Sequence, residues 1–302
     1  MAILIDPPLW PAHGTVFSHL VSDESLEELR AFARDAGLPE RAFDRDHYDV
    51  PERRYADLVA RGAVPVAATE LVRRLVRSGL RVPARQRPEK LDGILAAAWS
   101  KLVPESPSTG HGLILRWSEE HRHYHDRTHL LAVLRALDLL ARAGEPVGGL
   151  PRAPWLAAWF HDAVYRGSAG RDEEDSADLA VRTLAAAGLH AAEVDETARL
   201  VLLTAHHRPD PADPAGLLLS DADLEVLGRT PAEYARYAAA VRRDYAHVPD
   251  APFASGRAAV LGSLLSSDEL YGTGTARGLW EDRARGNLRS ELLRLGGGPP
   301  AP

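Results

Sequence analysis

Residues 155–165 read Trp-Leu-Ala-Ala-Trp-Phe-His-Asp-Ala-Val-Tyr. An apolar, helix-like run ends abruptly in His161-Asp162. A histidine followed by an aspartate is a poor choice for packing a core, since neither is often fully buried without a partner. It is a good choice for a cation, because both side chains are ligands for divalent metals. The dipeptide alone says little. It gains force if other donors lie at the ends of other helices, because a helical fold can bring such points together in one pocket.

Upstream, residues 122–129 read Arg-His-Tyr-His-Asp-Arg-Thr-His and open a segment with Leu130, Leu131, Val133, Leu134, Leu137 and Leu140 at roughly helical spacing. Asp126 or Thr128 is positioned to cap that helix, which places His129 near its start. His125 and His129 are four apart and share a face if both are helical. Downstream, residues 217–224 set Asp221 and Asp223 just after an apolar run. Between these blocks, His206-His207 ends a helical stretch marked by Val194, Ala198, Leu200, Val201 and Leu203. The donor order is therefore His, His-Asp, His, Asp.

That order, with the motifs at 122–129, 160–165, 173–177, 204–207 and 220–228, resembles the HD superfamily of metal-dependent phosphohydrolases, and within it a bacterial subgroup of predicted phosphohydrolases. The segment 234–245, Gly256-Arg257 and residues 284–288 are similar to the C-terminal part of that subgroup, so the resemblance spans roughly 89–295. It implies one divalent ion held by His129, His161, Asp162 and Asp221, the last chosen over Asp223 as the first acid of the Asp-Ala-Asp-Leu run. It also implies hydrolysis of a phosphoester, in a nucleotide or another small phosphorylated metabolite, by a metal-activated water. Asp162 would also orient that water. Glu173, Glu174 and His207 are the candidate proton donors, although acids at 173 and 174 also suit a helix N-terminus. His125 and His206 are candidate substrate contacts. Arg122, Arg257 and Arg285 are candidates to grip phosphate with forked hydrogen bonds. His111, His121, His123, His190 and His247 read as surface residues.

Composition narrows the chemistry. The chain has 302 residues, 45% hydrophobic and 26% charged, with a formal net charge of -7, so a broad nucleic-acid-binding surface is not indicated. Residues 1–88 carry 13 basic and 13 acidic side chains and the rest carry 23 and 30, which puts the acidic excess in the part with the candidate ion site. There is no cysteine, so the donors must be nitrogen and oxygen, which suits Mn, Fe, Co, Ni, Mg or Zn. The first residues lack the pattern of a signal peptide, and no apolar run reaches 18 residues. A cytoplasmic protein is the expectation.

Two domains are expected: a small α/β domain at 1–88, an all-α domain of about nine helices at 89–295, and a disordered tail at 296–302. In the first, 2–5, 64–66 and 80–82 read as short strands and 26–36, 55–61 and 69–78 as helices, with Ser22 or Asp23 capping the first. Residues 84–88 read as a linker. In the second, helices are expected near 89–102, 126–143, 154–163, 173–187, 192–206, 220–227, 231–245, 254–267 and 280–295. The stretches at 10–14, 18–20 and 46–50 resemble a small bacterial domain family of unknown function. Asp6, His13, His19, Asp46 and His47 either form a second polar pocket or serve as caps and turn residues.

Two other functions stay in view. An HD-type oxygenase would need a dinuclear iron site and usually two more histidines between the His-Asp pair and the last aspartate. Here they are adjacent, at 206 and 207, and adjacent helical residues point about 100° apart. A metal-stabilised sensing or interaction module is the second.

Overall fold

Two compact units divide the chain, Met1–Arg87 and Pro88–Pro302. The computed structural model describes residues 2–12, 14–81, 88–168 and 170–296, with the backbone alone at 88 and 89.

The first unit is a mixed sheet with helices, an α/β domain. Its strands are β1 (Ile3–Ile5), β2 (Trp10–Ala12), β3 (Thr15–Ser22), β4 (Phe43–Asp44), β5 (His47–Pro51) and β6 (Val64–Pro65). They run in the order β4-β5-β3-β1-β6, with β2 paired to β3, and only β1–β6 is parallel. Strand alternation sorts the side chains onto two faces. Ile3, Ile5, Leu20, Tyr48 and Val50 pack under Leu29 and Ala33 of α1 (Leu26–Asp35) and Leu58 of α2 (Glu52–Ala60). Leu4 and Val21 face the other way and are covered by Leu71 and Leu75 of α3 (Ala68–Arg77). His19, two residues before Val21, belongs to this second face. So do Asp49, its direct cross-strand partner, and His47, two residues before Asp49.

The strands β3 and β5, at the middle of the sheet, went unread as strands in the sequence. Their polar positions look like turns until one sees that they alternate with buried Leu20, Tyr48 and Val50. Ser25, and neither Ser22 nor Asp23, caps α1, its hydroxyl accepting the Glu28 N–H at 3.1 Å. Leu80 and Arg81 are irregular, and Val82 lies outside the described residues. So do 84–87 of the expected linker and 297–302 of the expected tail.

The second unit is all-α, with ten helices among its described residues. They are α4 (Pro88–Leu102), α5 (Pro107–Arg116), α6 (Arg127–Arg142), α7 (Ala153–Phe160), α8 (Arg171–Ala186), α9 (Ala191–Leu203), α10 (Pro214–Asp223), α11 (Pro231–Asp244), α12 (Asp250–Leu265) and α13 (Gly274–Arg294), with a 3-10 turn at Leu224–Gly228. The apolar run before His161-Asp162 forms α7. Ala153, Leu156, Ala157, Ala158, Trp159 and Phe160 are all fully buried. A helix apolar on nearly every side must be surrounded, and α6, α8, α9 and α10 pack around this one. Its last carbonyls are spoken for: Trp159 O accepts the buried Trp117 Nε1–H at 3.0 Å.

Several helix starts differ from expectation: α10 begins at Pro214 rather than 220, α12 at Asp250 rather than 254 and α13 at Gly274 rather than 280. Helix α10 starts at Pro214, because Asp213 caps it (Oδ1 to the Gly216 N–H, 3.0 Å) and proline is well suited to the first helical position. Helix α5 was unread, since two glycines, a serine and a threonine give it weak intrinsic propensity. Packing on α4 makes it: Gly110 lies directly against the Trp99 ring. Among the described residues no helix is long and apolar enough to cross a membrane.

Gly110 and Gly112 share α5 and should respond to alanine in opposite ways. A Cβ at 110 would collide with Trp99, whereas 112 is exposed with nothing nearby. Gly110→Ala should destabilise by about 1–3 kcal/mol through overpacking, and Gly112→Ala should stabilise by up to about 1 kcal/mol. Urea denaturation of the two variants reads this directly. Equal effects would mean that helix propensity, rather than the Trp99 contact, governs 110.

Candidate metal centre

Three helix ends meet at one point. Asp126 caps α6, its Oδ1 accepting the N–H groups of Thr128 (2.7 Å) and His129 (3.2 Å), and this sets His129 in the first turn. His161 closes α7, and its Nδ1 lies 2.9 Å from Ala158 O. Asp223 is the last residue of α10. The His129 and His161 Nε2 atoms are 3.1 Å apart, and Asp223 Oδ1 lies 3.1 Å from the first and 3.5 Å from the second. Asp162 Oδ2 adds a fourth donor at 3.2 Å from His161 Nε2 and 3.8 Å from His129 Nε2.

The donor chemistry fits a cation. The carbonyl at Nδ1 makes that nitrogen of His161 the N–H, so a neutral ring turns its Nε2 lone pair toward His129 and the two carboxylates. Ligands about 2.1 Å from a common ion stand about 3.0 Å apart in octahedral and about 3.4 Å apart in tetrahedral arrangement. The separations among His129, His161 and Asp223 lie in or just beside that range. Burial penalises charge on His161, yet the carboxylates of Asp162 and Asp223 overcome this and hold its pKa well above the ordinary value. Burial likewise opposes ionisation of Asp223 and Asp162, but the imidazoles hold both below the usual carboxylate range. Positive charge, whether protons or an ion, is what this pocket stabilises.

Asp221, the aspartate expected at the ion, is elsewhere. Two residues along a helix is about 200°, so Asp221 and Asp223 take opposite faces of α10. Asp221 instead accepts the N–H groups of Gly272 (2.8 Å) and Thr273 (2.7 Å) ahead of α13. Burial raises its pKa to about 6 in spite of those hydrogen bonds. Of the paired histidines, His207 is the one at the site: its Nε2 is 3.4 Å from Asp223 Oδ2 and its Nδ1 3.2 Å from Ser220 Oγ. It holds φ at 49°, a left-handed conformation uncommon outside glycine, where the chain leaves α9 with its N–H on Leu203 O at 3.0 Å. Burial lowers its pKa, against the pull of Asp223. His206 is exposed, and its Nδ1 accepts the Arg208 N–H.

His125 lies beside this group, 5.9 Å from the His129 ring between centroids, and stacks on Tyr165 at 4.3 Å. Asp244, at the end of α11, orients it: Oδ2 is 2.8 Å from His125 Nδ1. The same carboxylate receives the His123 and Tyr124 N–H groups at 2.5 and 3.2 Å. Nothing in the sequence pointed to Asp244, which is 119 residues from its partner. Tyr124 was also missed; its ring packs 4.7 Å from that of His129.

The three arginines expected to grip phosphate are committed to protein groups. Arg122 is wholly buried and donates to Glu119 and to the carbonyls of His125, Asp162 and Ala163. Arg257 pairs with Glu291 and the Tyr237 hydroxyl. Arg285 binds Glu281 and the carbonyls of Ser267 and Asp268. Glu173 caps α8 through the Gly170 N–H at 2.6 Å, and burial, with Asp162 and Asp172 nearby, raises its pKa. Glu174 is exposed and pairs with Arg171.

In the first unit, His19 and His47 also approach each other, with centroids 5.0 Å apart. Asp6 and Asp46 each hold one of these rings, at 3.0 and 2.5 Å from Nδ1. Asp49, not singled out in the sequence, lies 3.5 Å from His47 Nε2 and 4.0 Å from His19 Nε2. Burial opposes charge on His47, but Asp46 and Asp49 raise its pKa to about 9. His13 lies outside the described residues. Among the described residues these two His/His/Asp groups are the ones able to hold a metal ion.

A family model described as "Protein of unknown function (DUF4031)" matches residues 3–78, so the chain is a DUF4031 domain followed by a helical domain. No curated protein and no solved structure matches the chain.

Asp244→Ala should cost about 1–3 kcal/mol at pH 7, since it removes a buried acceptor shared by His123, Tyr124 and His125. His125 and the backbone N–H groups hold the Asp244 pKa below its ordinary value, although burial opposes them. The contribution is therefore complete above the unfolded carboxylate pKa of about 4 and fades as pH falls through the lower native value. Denaturation of both proteins at pH 7 and about pH 3 should show their difference shrink. A difference that stays constant would mean that the charge at 244 is irrelevant.

Proposed function

We propose that the helical unit is an HD-type metal-dependent phosphohydrolase acting on a nucleotide or another small phosphorylated metabolite, with His129, His161, Asp162 and Asp223 holding one divalent ion. The observation that carries this reading is the meeting of two imidazole nitrogens 3.1 Å apart with an Asp223 oxygen within 3.5 Å of both. Bound there, a divalent cation supplies a Lewis acid for a phosphoryl oxygen and lowers the pKa of a water.

The chain's own residues divide the remaining work. Asp162, on the exposed side of the cluster at 16% side-chain exposure, orients the attacking water. His207 and His125 are the imidazoles left over at the site. Each is steered through its Nδ1, by Ser220 and by Asp244, which leaves Nε2 to take a proton from the attacking water or to give one to the departing oxygen. His207 is depressed by burial and so suits a neutral acceptor role. With Arg122, Arg257 and Arg285 occupied, phosphate recognition falls to His125 and the ion. Glu173 keeps a secondary place as an acid in the electrostatic range of Asp162.

A phosphatase screen over nucleotides and sugar phosphates, with Mn, Fe, Co, Ni, Mg and Zn in turn, tests the reading. Turnover is expected, with His161→Ala and Asp223→Ala each lowering kcat/KM at least about 100-fold. Asp221→Asn, which retains an acceptor for Gly272 and Thr273, should stay within about tenfold of wild type. Full activity in Asp223→Ala would sink the assignment. Metal bound at His161 without turnover of any phosphoester would favour a sensing module, and two irons at that site an oxygenase.

A further inference from the structure

The polar half of the sheet face beyond α3 is built like a ligand set. His19 and Asp49 are direct partners across β3 and β5, and His47 is two residues from Asp49, so all three side chains leave the same face. Each histidine is held at Nδ1 by a carboxylate that is almost wholly buried, Asp6 at 1% and Asp46 at 2% exposure. Asp6 is dedicated to this task. It takes the His19 ring at 3.0 Å, the His19 backbone N–H at 2.5 Å and the Trp10 indole N–H at 3.1 Å. Asp46 holds the His47 ring at 2.5 Å and is itself paired with Arg81 at 3.2 Å. A carboxylate on one ring nitrogen fixes the tautomer and turns the other nitrogen into a directed donor, the arrangement that accompanies metal-binding histidines. Two such pairs side by side, both aimed toward one further carboxylate, are more than helix caps or turn residues require.

We propose that His19 Nε2, His47 Nε2 and Asp49 form a second, independent site for a divalent transition-metal ion, in the N-terminal domain. Two imidazoles with one carboxylate select Zn, Co, Ni, Fe or Mn over Mg or Ca. Among the described residues the site has three donors, and three leave positions for water or a ligand, as catalytic-type sites do. The side chains agree with an open site: His19 is 26% and Asp49 48% exposed. The half-exposed Trp10 ring stands 5.2 Å from His19 and forms an aromatic wall beside it. Each face of the sheet also carries its own apolar core.

Cobalt titration of the full chain tests this. In His161→Ala/Asp223→Ala, which disables the helical centre, one equivalent of Co2+ should still bind, read by its visible d–d absorption. Adding His19→Ala and His47→Ala should abolish that signal, and Asp6→Asn or Asp46→Asn should weaken it about 10–100-fold. No cobalt signal in the folded helical-site variant, checked by circular dichroism, would overturn the proposal. So would a signal that survives His19→Ala/His47→Ala in that same helical-site variant. Should the helical-site variant not fold, the wild-type stoichiometry must fall by one equivalent in His19→Ala/His47→Ala, and an unchanged count overturns the site. The helical centre can fail its own test without altering this count.

Discussion

Arg122 ties the helical centre together. Its guanidinium has no solvent access, and its donors reach the carbonyls of His125, Asp162 and Ala163 as well as the Glu119 carboxylate. It lies over the faces of Trp117 and Tyr165, which shield it further. The segment leading into α6 and the turn leaving α7 are thereby joined through one side chain. A buried guanidinium must find acceptors, because leaving it unpaired is costly. Here that demand fixes the backbone ahead of His129 and directly after His161. A side chain that reads as a phosphate grip in the sequence is, in the fold, the brace of the pocket.

The pocket it braces is electrostatically one-sided. Two buried imidazoles and two carboxylates face one another within 3.1–3.8 Å. The surrounding helices spend their own polar groups on caps, leaving these side chains to one another. Asp244 and Ser220 extend the order outward by fixing His125 and His207. The same logic, a histidine oriented by a carboxylate, recurs on the sheet of the first unit with Asp6 and Asp46. Helix ends build one cluster and neighbouring strands the other, so their likeness is chemical and not one of fold.

What could be read from the residues depended on how local their cause is. The α7 run announces itself because a helix buried on every side needs apolar residues throughout. His129 falls near a helix start because Asp126 or Thr128 offers a cap, and Asp126 is the one that caps it. The errors share a different cause. Asp221 and Asp223 are equivalent in type and two residues apart, and the choice between them rests on which face of α10 meets α6 and α7. Arg257 and Arg285 look available until Glu291 and Glu281 are seen beside them. The strands β3 and β5 carry histidines and aspartates where a half-covered face tolerates them, so their period-2 signal is mixed with turn chemistry.

The sequence by itself determined the two-domain plan, the all-α character of the larger part and the nitrogen and oxygen nature of any ion site. All three follow from composition or from a periodicity confined to one element, while a resemblance singled out His129 and His161. Only the tertiary structure decided that Asp223 rather than Asp221 joins them, that His207 rather than His206 stands alongside, and that Asp49 completes the group on the sheet. Those choices depend on the rotation of one element against another, where a step of one residue turns a helical side chain by about 100° and carries a strand side chain to the opposite face.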